Sequence, residues 1–273
     1  MKAALKYFFL YILLIVVGFF LLVVVYRLAG SSFSYTDLFG DSLLSSFSFM
    51  FSIQLLPIFV FLKRKYTSYS FNFGYRFGDS FSKKKLYLWA AIASVGCLLF
   101  DMMMIMIFPI VEEWDILIFG NLGSDSDINF LDVISGCLLA PLVEEAIFRG
   151  AIERRLLEKN WNPWYAIVIS AVLFAIPHGS LYTLFFSCFG IFVGWLYYRT
   201  RSIWPGILVH ALYNSLVIVP EYISGLVSEN TSSKDEMSLS LGISVPLLIV
   251  GIVILCFSVK QIALLTKDRT LFE

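Results

Sequence analysis

The sequence contains little charge and almost no histidine. Only 15% of its 273 residues are charged, 59% are hydrophobic, and there are just two histidines. A soluble domain carries about 25% charged residues, so this composition excludes an ordinary soluble globule and a disordered chain. Basic and acidic residues balance at 20 each, and the lack of a basic surplus argues against nucleic-acid binding. With two imidazoles, any histidine chemistry must use one or both of them.

Cysteine is also scarce, and its spacing shows neither a disulfide framework nor a CxxC metal knuckle. All four copies fall inside predicted helices, where a thiol is most often a small buried apolar group. They are Cys97, Cys137, Cys188 and Cys256.

What the chain does contain is long apolar runs. A membrane-spanning helix needs around 20 mostly apolar residues, and strand-type alternation is missing. The sequence therefore predicts an all-α, polytopic membrane bundle of about eight helices, forming a single transmembrane domain over 1–273. Residues 1–130 supply the N-terminal helices, about 131–219 the core, and 239–259 the last helix. The eight runs are Tyr7–Tyr26, Leu43–Leu62, Leu86–Phe108, Leu131–Phe148, Trp164–Pro177, Leu181–Tyr198, Ile203–Val219 and Leu239–Val259.

The basic residues are sorted between the two sides of this predicted bundle. With the N-terminus in the cytoplasm, 18 of the 20 Lys and Arg fall on the cytoplasmic side, and only Arg27 and Lys234 lie outside. The positive-inside rule favours this arrangement. We therefore expect an integral protein of the cell (plasma or inner) membrane with both termini cytoplasmic. The first run is interpreted as a retained anchor. The basic loop 63–85 is interpreted as a topology determinant, with contact to anionic lipid as the alternative.

Ionisable residues at membrane depth are costly and point to function. Asp101 stands alone in the third run, beside three methionines. It could serve as a proton site, but a paired structural carboxylate facing the bundle is the favoured interpretation.

A more informative cluster lies at the end of the fourth run. Residues four apart share a helix face, so Glu145 is expected to pair with Arg149, while Glu144 points about 100° away. A carboxylate held in a desolvated bundle without a local cation is suited to proton transfer. For an isolated Glu-Glu pair, simple capping near the helix end would be the favoured alternative.

Both histidines of the chain have a helix-spaced partner. Phe174 precedes His178 by four residues, and His210 precedes Asn214 by four, so each pair shares a helix face. A lone histidine in a membrane helix is usually a structural hydrogen-bonding group. Two such pairs on helices that follow the Glu-Glu helix favour a shared site instead.

Together these residues resemble the three motifs of the CPBP family, the CAAX protease and bacteriocin-processing family, also called Abi. Their order, helix placement and spacing match the EExxxR, FxxxH and HxxxN patterns over roughly residues 131–219. The resemblance implies an intramembrane, glutamate-dependent and metal-independent protease with water as the nucleophile.

The chemistry of amide hydrolysis suggests a role for each group. Glu144 is the expected general base, and His178 orients and helps to deprotonate the same water. His210 and Asn214 would donate hydrogen bonds to the developing oxyanion. The supporting residues are Glu145, Arg149 and Phe174.

Two questions about this site stay open in the sequence. Zinc held by Glu144, His178 and His210 is possible, but no HExxH motif is present, and a site without cofactor or metal is favoured. Counting about 1.5 Å per residue from the cytoplasmic ends puts Glu144 about 9–13 Å deep, His210 about 10 Å and His178 about 22 Å. We therefore expect an irregularity in the fifth helix, such as a bend at Pro177.

The favoured function is an endopeptidase acting on a membrane-associated peptide, either CAAX-like and prenylated or a bacteriocin or leader peptide. Its expected partners are that peptide and the lipid bilayer. The alternatives are a non-proteolytic immunity or scaffold protein and, less favoured, a proton-coupled transporter, for which no inverted repeat is seen. Neither the cleavage site nor the oligomeric state has a sequence signature.

Overall fold

The computed structural model describes residues 2–28, 56–57, 80–107, 130–178, 188–228 and 241–267, and all their regular structure is helical. We number the helical segments in chain order and treat the continuous run 130–157 as one segment, α3. The others are α1 (Lys2–Leu28), α2 (Ser80–Ile107), α4 (Pro163–Ala175), α5 (Cys188–Thr200), α6 (Ile203–Ser228) and α7 (Leu241–Leu265).

Two of these helices are long and apolar enough to cross a membrane, through their segments Ile203–Pro220 and Val245–Leu265. Shorter apolar stretches occur at Ala4–Gly18 and Pro163–Ala175. Seven of the eight predicted runs overlap a helix in the described part of the chain, whereas Leu43–Leu62 lies outside it except for two residues. The all-helical class is confirmed, and the number of spans and the side of each terminus stay predictions.

Several predicted helix boundaries are wrong. The seventh run continues to Ser228 rather than Val219, and the eighth to Leu265 rather than Val259. The third run begins at Ser80 rather than Leu86, and the fourth continues to Leu157 rather than ending at Phe148. Part of each predicted basic loop is therefore helical. The fourth helix continues because Arg149 and Glu153 are fully buried among neighbouring helices, so these polar residues do not mark a solvated loop.

The α3 segment changes its winding on both sides of the Glu-Glu pair. The α-helical turn Ala140–Ile147 lies between two π-helical segments, Ser135–Leu139 and Phe148–Glu153. Single π-helical turns are rare and are frequently found at functional sites. Here they set the rotation with which the pair faces the rest of the bundle.

A short turn joins α3 to α4. Asn160 takes up a left-handed conformation (φ 56°), and the Asn162 side chain accepts a hydrogen bond from the backbone nitrogen of Trp164 at 2.9 Å. Pro163 fits the first helical position, where its missing N–H costs nothing. At its other end α4 tightens into the 3-10 turn Ile176–His178, which is the irregularity expected at Pro177.

The packing places α3 against the helices that carry the other motifs. It contacts α1, α4, α5 and α6, while α2 packs mainly against α7 and α6. The buried core is formed by apolar side chains of these helices, including Phe148, Phe174 and Val209. By contrast, α7 exposes many apolar side chains, such as Val253 and Phe257, as a membrane-facing helix does.

Candidate active site

Glu145 is the centre of a buried polar network. Its side chain is 0% exposed, and its Oε1 accepts hydrogen bonds from Arg149 Nη1 and His210 Nδ1, each at 3.0 Å. The predicted Glu145–Arg149 pair is therefore confirmed. A buried carboxylate needs an opposite charge and hydrogen bonds to be tolerated, and Glu145 receives both.

Arg149 links this network to two further helices. Its Nη2 donates to the backbone oxygen of Gly190 on α5 at 2.9 Å, and its guanidinium carbon lies 4.9 Å from the centre of the Phe174 ring on α4. The hydrogen bond and the cation–π contact hold the cation in place. Arg149 is thus a bridge between three helices and not a loop charge.

His210 lies between the two adjacent glutamates. Its Nδ1 bonds to Glu145, and its Nε2 lies 3.7 Å from Oε2 of Glu144. The Glu145 carboxylate is an acceptor and is paired with Arg149, so we assign the Nδ1 hydrogen to the bond with Glu145. That assignment leaves Nε2 directed towards Glu144, whose side chain is 13% exposed. The equal depths expected for Glu144 and His210 agree with this contact.

Aromatic rings surround the imidazole. His210 makes edge-on contacts with Phe189 at 4.9 Å and with Phe174 at 5.6 Å between ring centres. Phe174 also packs edge-on against Phe148 at 5.3 Å. The supporting residue Phe174 therefore contacts the histidine of the third motif, which fixes the imidazole in an apolar wall.

Glycines on α5 and α6 allow the buried carboxylates to approach these helices. A Cβ atom at Gly206 would lie 3.2 Å from Oε2 of Glu145 and 2.9 Å from Cγ1 of Val193. At Gly194 it would lie 2.9 Å from Oε2 of Glu153. A larger residue at either position would therefore have to push the neighbouring side chain away.

The remaining predicted residues are placed as follows. Asn214 Nδ2 donates to the backbone oxygen of Gly136 at 2.7 Å, which ties α6 to the first π-helical segment of α3. His178 ends the 3-10 turn after α4, and its side chain lies outside the described part of the structure. The predicted contact between His178 and Glu144 therefore stays a prediction.

Glu153 is a buried residue that the motifs did not identify. It is 0% exposed, and neither carboxylate oxygen has a hydrogen-bond partner. Glu153 lies five residues after Phe148, the predicted end of the fourth apolar run. Burial raises the pKa of Glu153 well above its ordinary value of 4.5, while the Arg149 charge lowers it and Glu145 raises it. Its i+4 spacing from Arg149 was the only available sequence signal.

Asp101 is paired, as favoured above. It accepts a hydrogen bond from the Tyr213 hydroxyl at 2.9 Å, and Tyr213 packs on Phe189 at 4.7 Å. This pair connects α2 to the aromatic wall of His210.

The cysteines only partly match expectation. Cys97 and Cys137 are buried thiols, but Cys256 is exposed on α7. The prediction for Cys256 is wrong because it assumed that every helical thiol faces inward. The Cys188 side chain lies outside the described part of the chain.

Among the described residues, no group of three or more His, Cys, Asp or Glu is arranged to hold a metal ion. The carboxylate and imidazole at the site are instead occupied by one another and by Arg149. The zinc alternative includes His178, so it stays open.

The fold and site define a helical protein with apolar membrane-type helices and a buried Glu–Arg–His network. Residues 126–216 match the family described as "Type II CAAX prenyl endopeptidase Rce1-like". The match covers the segment that carries all three motifs and confirms the resemblance to the CPBP family.

A relative with a similar segment is "Putative membrane peptidase YdiL" of Bacillus subtilis (strain 168). It is 37% identical over 90 residues, which are 33% of this chain and 36% of the relative. The chain thus spans about a third of the curated relative that it matches. No solved structure matches the chain. Both matches are described by their names as peptidases.

Proposed function

We propose that this protein is an intramembrane endopeptidase that hydrolyses peptide bonds in a membrane-associated peptide. One observation carries the proposal. The Glu144 carboxylate faces an imidazole, His210, whose other nitrogen is fixed by a buried ion pair. A base and an oriented proton-transfer group beside each other inside an apolar bundle are the parts that water activation requires.

In the proposed mechanism, Glu144 takes a proton from water, and the resulting hydroxide attacks the scissile carbonyl. His178 orients the same water. His210 is held through Nδ1 by Glu145 and offers Nε2 to the reacting atoms. As the imidazolium, with a hydrogen on each ring nitrogen, it donates from Nε2 to the oxyanion, together with the second amide hydrogen of Asn214. Glu144 then delivers its proton to the leaving amine. This assignment is supported by the chemistry of the groups and by the family resemblance.

Arg149 and Phe174 act indirectly. The Arg149 guanidinium bonds the same Glu145 oxygen that accepts from the imidazole, and so holds this oxygen in place for His210. Phe174 packs against both Arg149 and His210 and shields these two side chains from bulk water. The low local dielectric strengthens each of these charge interactions.

The proposed substrate class is supported by the comparisons and by the setting of the site. A CAAX-like prenylated peptide agrees with the matched family, and a bacteriocin or leader peptide agrees with the wider CPBP resemblance. Both are anchored at the bilayer, where a site within apolar helices can reach them.

The test is peptide cleavage by the purified protein in detergent, together with membrane proteomics of cells carrying wild type or Glu144→Gln. We expect Glu144→Gln to lower the cleavage rate by about 10²–10⁴-fold, the usual contribution of a general base. Glu158→Gln is the matched control, because Glu158 is partly exposed and bonds Arg154 and Arg155 away from the site.

Glu144→Gln, together with His210→Ala, separates the peptidase from a scaffold or immunity protein. If Glu144→Gln and His210→Ala fold but no longer cleave, the peptidase is supported. If both variants keep full biological activity, the protein acts as a scaffold or immunity protein and the peptidase proposal fails.

A further inference from the structure

Glu153 is buried but has no role in the proposed mechanism. It lies on α3, four residues after Arg149 and eight after Glu145, and its side chain is directed to α5, where Gly194 makes room for it. Both carboxylate oxygens are without a hydrogen-bond partner. An isolated buried carboxylate is so costly that the group takes up a proton instead.

The charge of Arg149 acts on this carboxyl, and Arg149 has one unused donor. Its Nη1 and Nη2 are bonded to Glu145 and Gly190, but its Nε has no partner. With Glu153 neutral, the single cation is balanced by the single carboxylate of Glu145. With Glu153 ionised, two carboxylates would compete for one guanidinium.

The surrounding helices present few other ionisable groups to Glu153. Tyr197 on α5 is close enough to interact with it electrostatically. On α1, Tyr7 accepts a hydrogen bond from Arg155 at 3.4 Å, and on α4 the Tyr165 side chain is exposed. None of these groups supplies a compensating cation. Within the described part of the chain, the cation that acts on Glu153 is Arg149.

We propose that Glu153 is a positioning residue that holds a proton and thereby leaves Arg149 to Glu145. When Glu153 releases this proton to water, Arg149 shifts towards it, the Glu145 bond to His210 loosens, and the imidazole loses its orientation towards Glu144. Peptide cleavage then falls on the alkaline side. The part about cleavage rests on the proposed peptidase function, whereas the protonation of Glu153 does not.

The first test measures protonation directly. The infrared carbonyl band of protonated carboxylic acids is recorded in D₂O for wild type, Glu153→Gln and the surface control Glu158→Gln. We expect one protonated carboxyl to be lost in Glu153→Gln only. An unchanged band in Glu153→Gln overturns the proposal, even if no peptidase activity is ever found.

The second test measures thermal unfolding in detergent between pH 5 and 8. A carboxyl whose pKa is raised by folding contributes stability below its unfolded pKa and loses it as pH rises towards the folded pKa. Relative to Glu153→Gln, the wild-type Tm should therefore fall by about 3–5 °C per pH unit. A constant Tm difference overturns the proposal. If Glu153→Gln does not fold, Glu153→Met gives the same comparison.

The third test is the pH profile of cleavage. Glu153→Gln should keep the wild-type rate near neutral pH and lose the alkaline decline, because glutamine copies the neutral carboxyl. A merely structural role would change the rate at every pH equally. An alkaline decline that is identical in both proteins overturns the positioning role.

Discussion

Glu144 and Glu145 are neighbours in sequence, yet their environments differ. Glu145 is fully buried and holds Arg149 and His210, whereas the Glu144 side chain is 13% exposed and meets the far side of the same imidazole. One carboxylate therefore orients the histidine, and the other is accessible to a reactant. Two adjacent glutamates with separate tasks explain why the pair occurs next to the buried arginine.

We expect replacement of Glu145 to lower mainly the stability of the fold and replacement of Glu144 to lower mainly the cleavage activity. Glu145→Gln removes the partner of a fully buried guanidinium, and breaking such a pair costs about 3–5 kcal/mol. Glu144→Gln should change the free energy of unfolding by about 1 kcal/mol or less while lowering the cleavage rate by about 10²–10⁴-fold. Chemical denaturation in detergent and the cleavage assay check the pair. Equal destabilisation by both variants would contradict this division.

The spacing of charged residues predicts the Glu145–Arg149 contact because the two lie four apart on one helix. The bond from His210 to the same oxygen spans 65 positions, and only the packing of α3 against α6 creates it. Glu153 was missed for a related reason. Its burial depends on Gly194 of α5, and a glutamate beside arginines resembles an ordinary solvated loop residue in sequence.

At the scale of elements, the orientation of α6 decides where His210 and Asn214 lie. Two side-chain contacts hold it: Asn214 bonds Gly136 on α3, and Tyr213 bonds Asp101 on α2. Both donors lie within one turn of His210. The helix that carries the third motif is thus tied to two neighbouring helices, α2 and α3, about one turn after its histidine.

The Tyr213–Asp101 bond should be measurable as a contact between helices. Tyr213→Phe removes a hydrogen bond to a charged acceptor, which is worth about 1.5–3 kcal/mol. Combined with Asp101→Ala, which removes the acceptor, the loss should be less than the sum of the two single losses. Thermal and chemical unfolding test this.

Tyr222→Phe is the control, since the Tyr222 hydroxyl, on the same helix, has no hydrogen bond to any of the described residues. Full additivity of the double variant, or an equal loss in Tyr222→Phe, would contradict a specific contact between α2 and α6.

Helix existence was predictable from apolar run length, but helix ends were not. Leu157 ends α3 nine residues later than Phe148 because polar residues continue the helix once neighbours bury them. The π-helical segments of α3 have no apolar signature, since i+5 bonding depends on contacts across the bundle. An irregularity near His178 was expected only because its estimated depth differed from those of Glu144 and His210, and the structure has a 3-10 turn there.

At the scale of the molecule, zero net charge hides a segregation of charge across the predicted bundle. The turn after α3 contains exposed Lys159, and Lys267 follows the end of α7, so both should face the cytoplasm. The outer loop 109–130 contains Glu112, Glu113 and several aspartates but no basic residue, so it should face outward. In this predicted arrangement, we expect the site at the cytoplasmic end of the bundle.

Cysteine accessibility tests this arrangement in intact cells and inverted vesicles. In a background with the four native cysteines replaced by serine, Lys159→Cys and Lys267→Cys should react with a membrane-impermeant maleimide only in inverted vesicles. Ser124→Cys should react only in intact cells. The positive-inside rule depends on the basic residues of short loops, and Arg149 is buried in the site instead. Replacing Arg149 should therefore leave this labelling pattern unchanged. Labelling of Lys159→Cys and Lys267→Cys from opposite sides would refute the eight-span arrangement. It would also remove the reason to expect that the substrate reaches Glu144 from the cytoplasm.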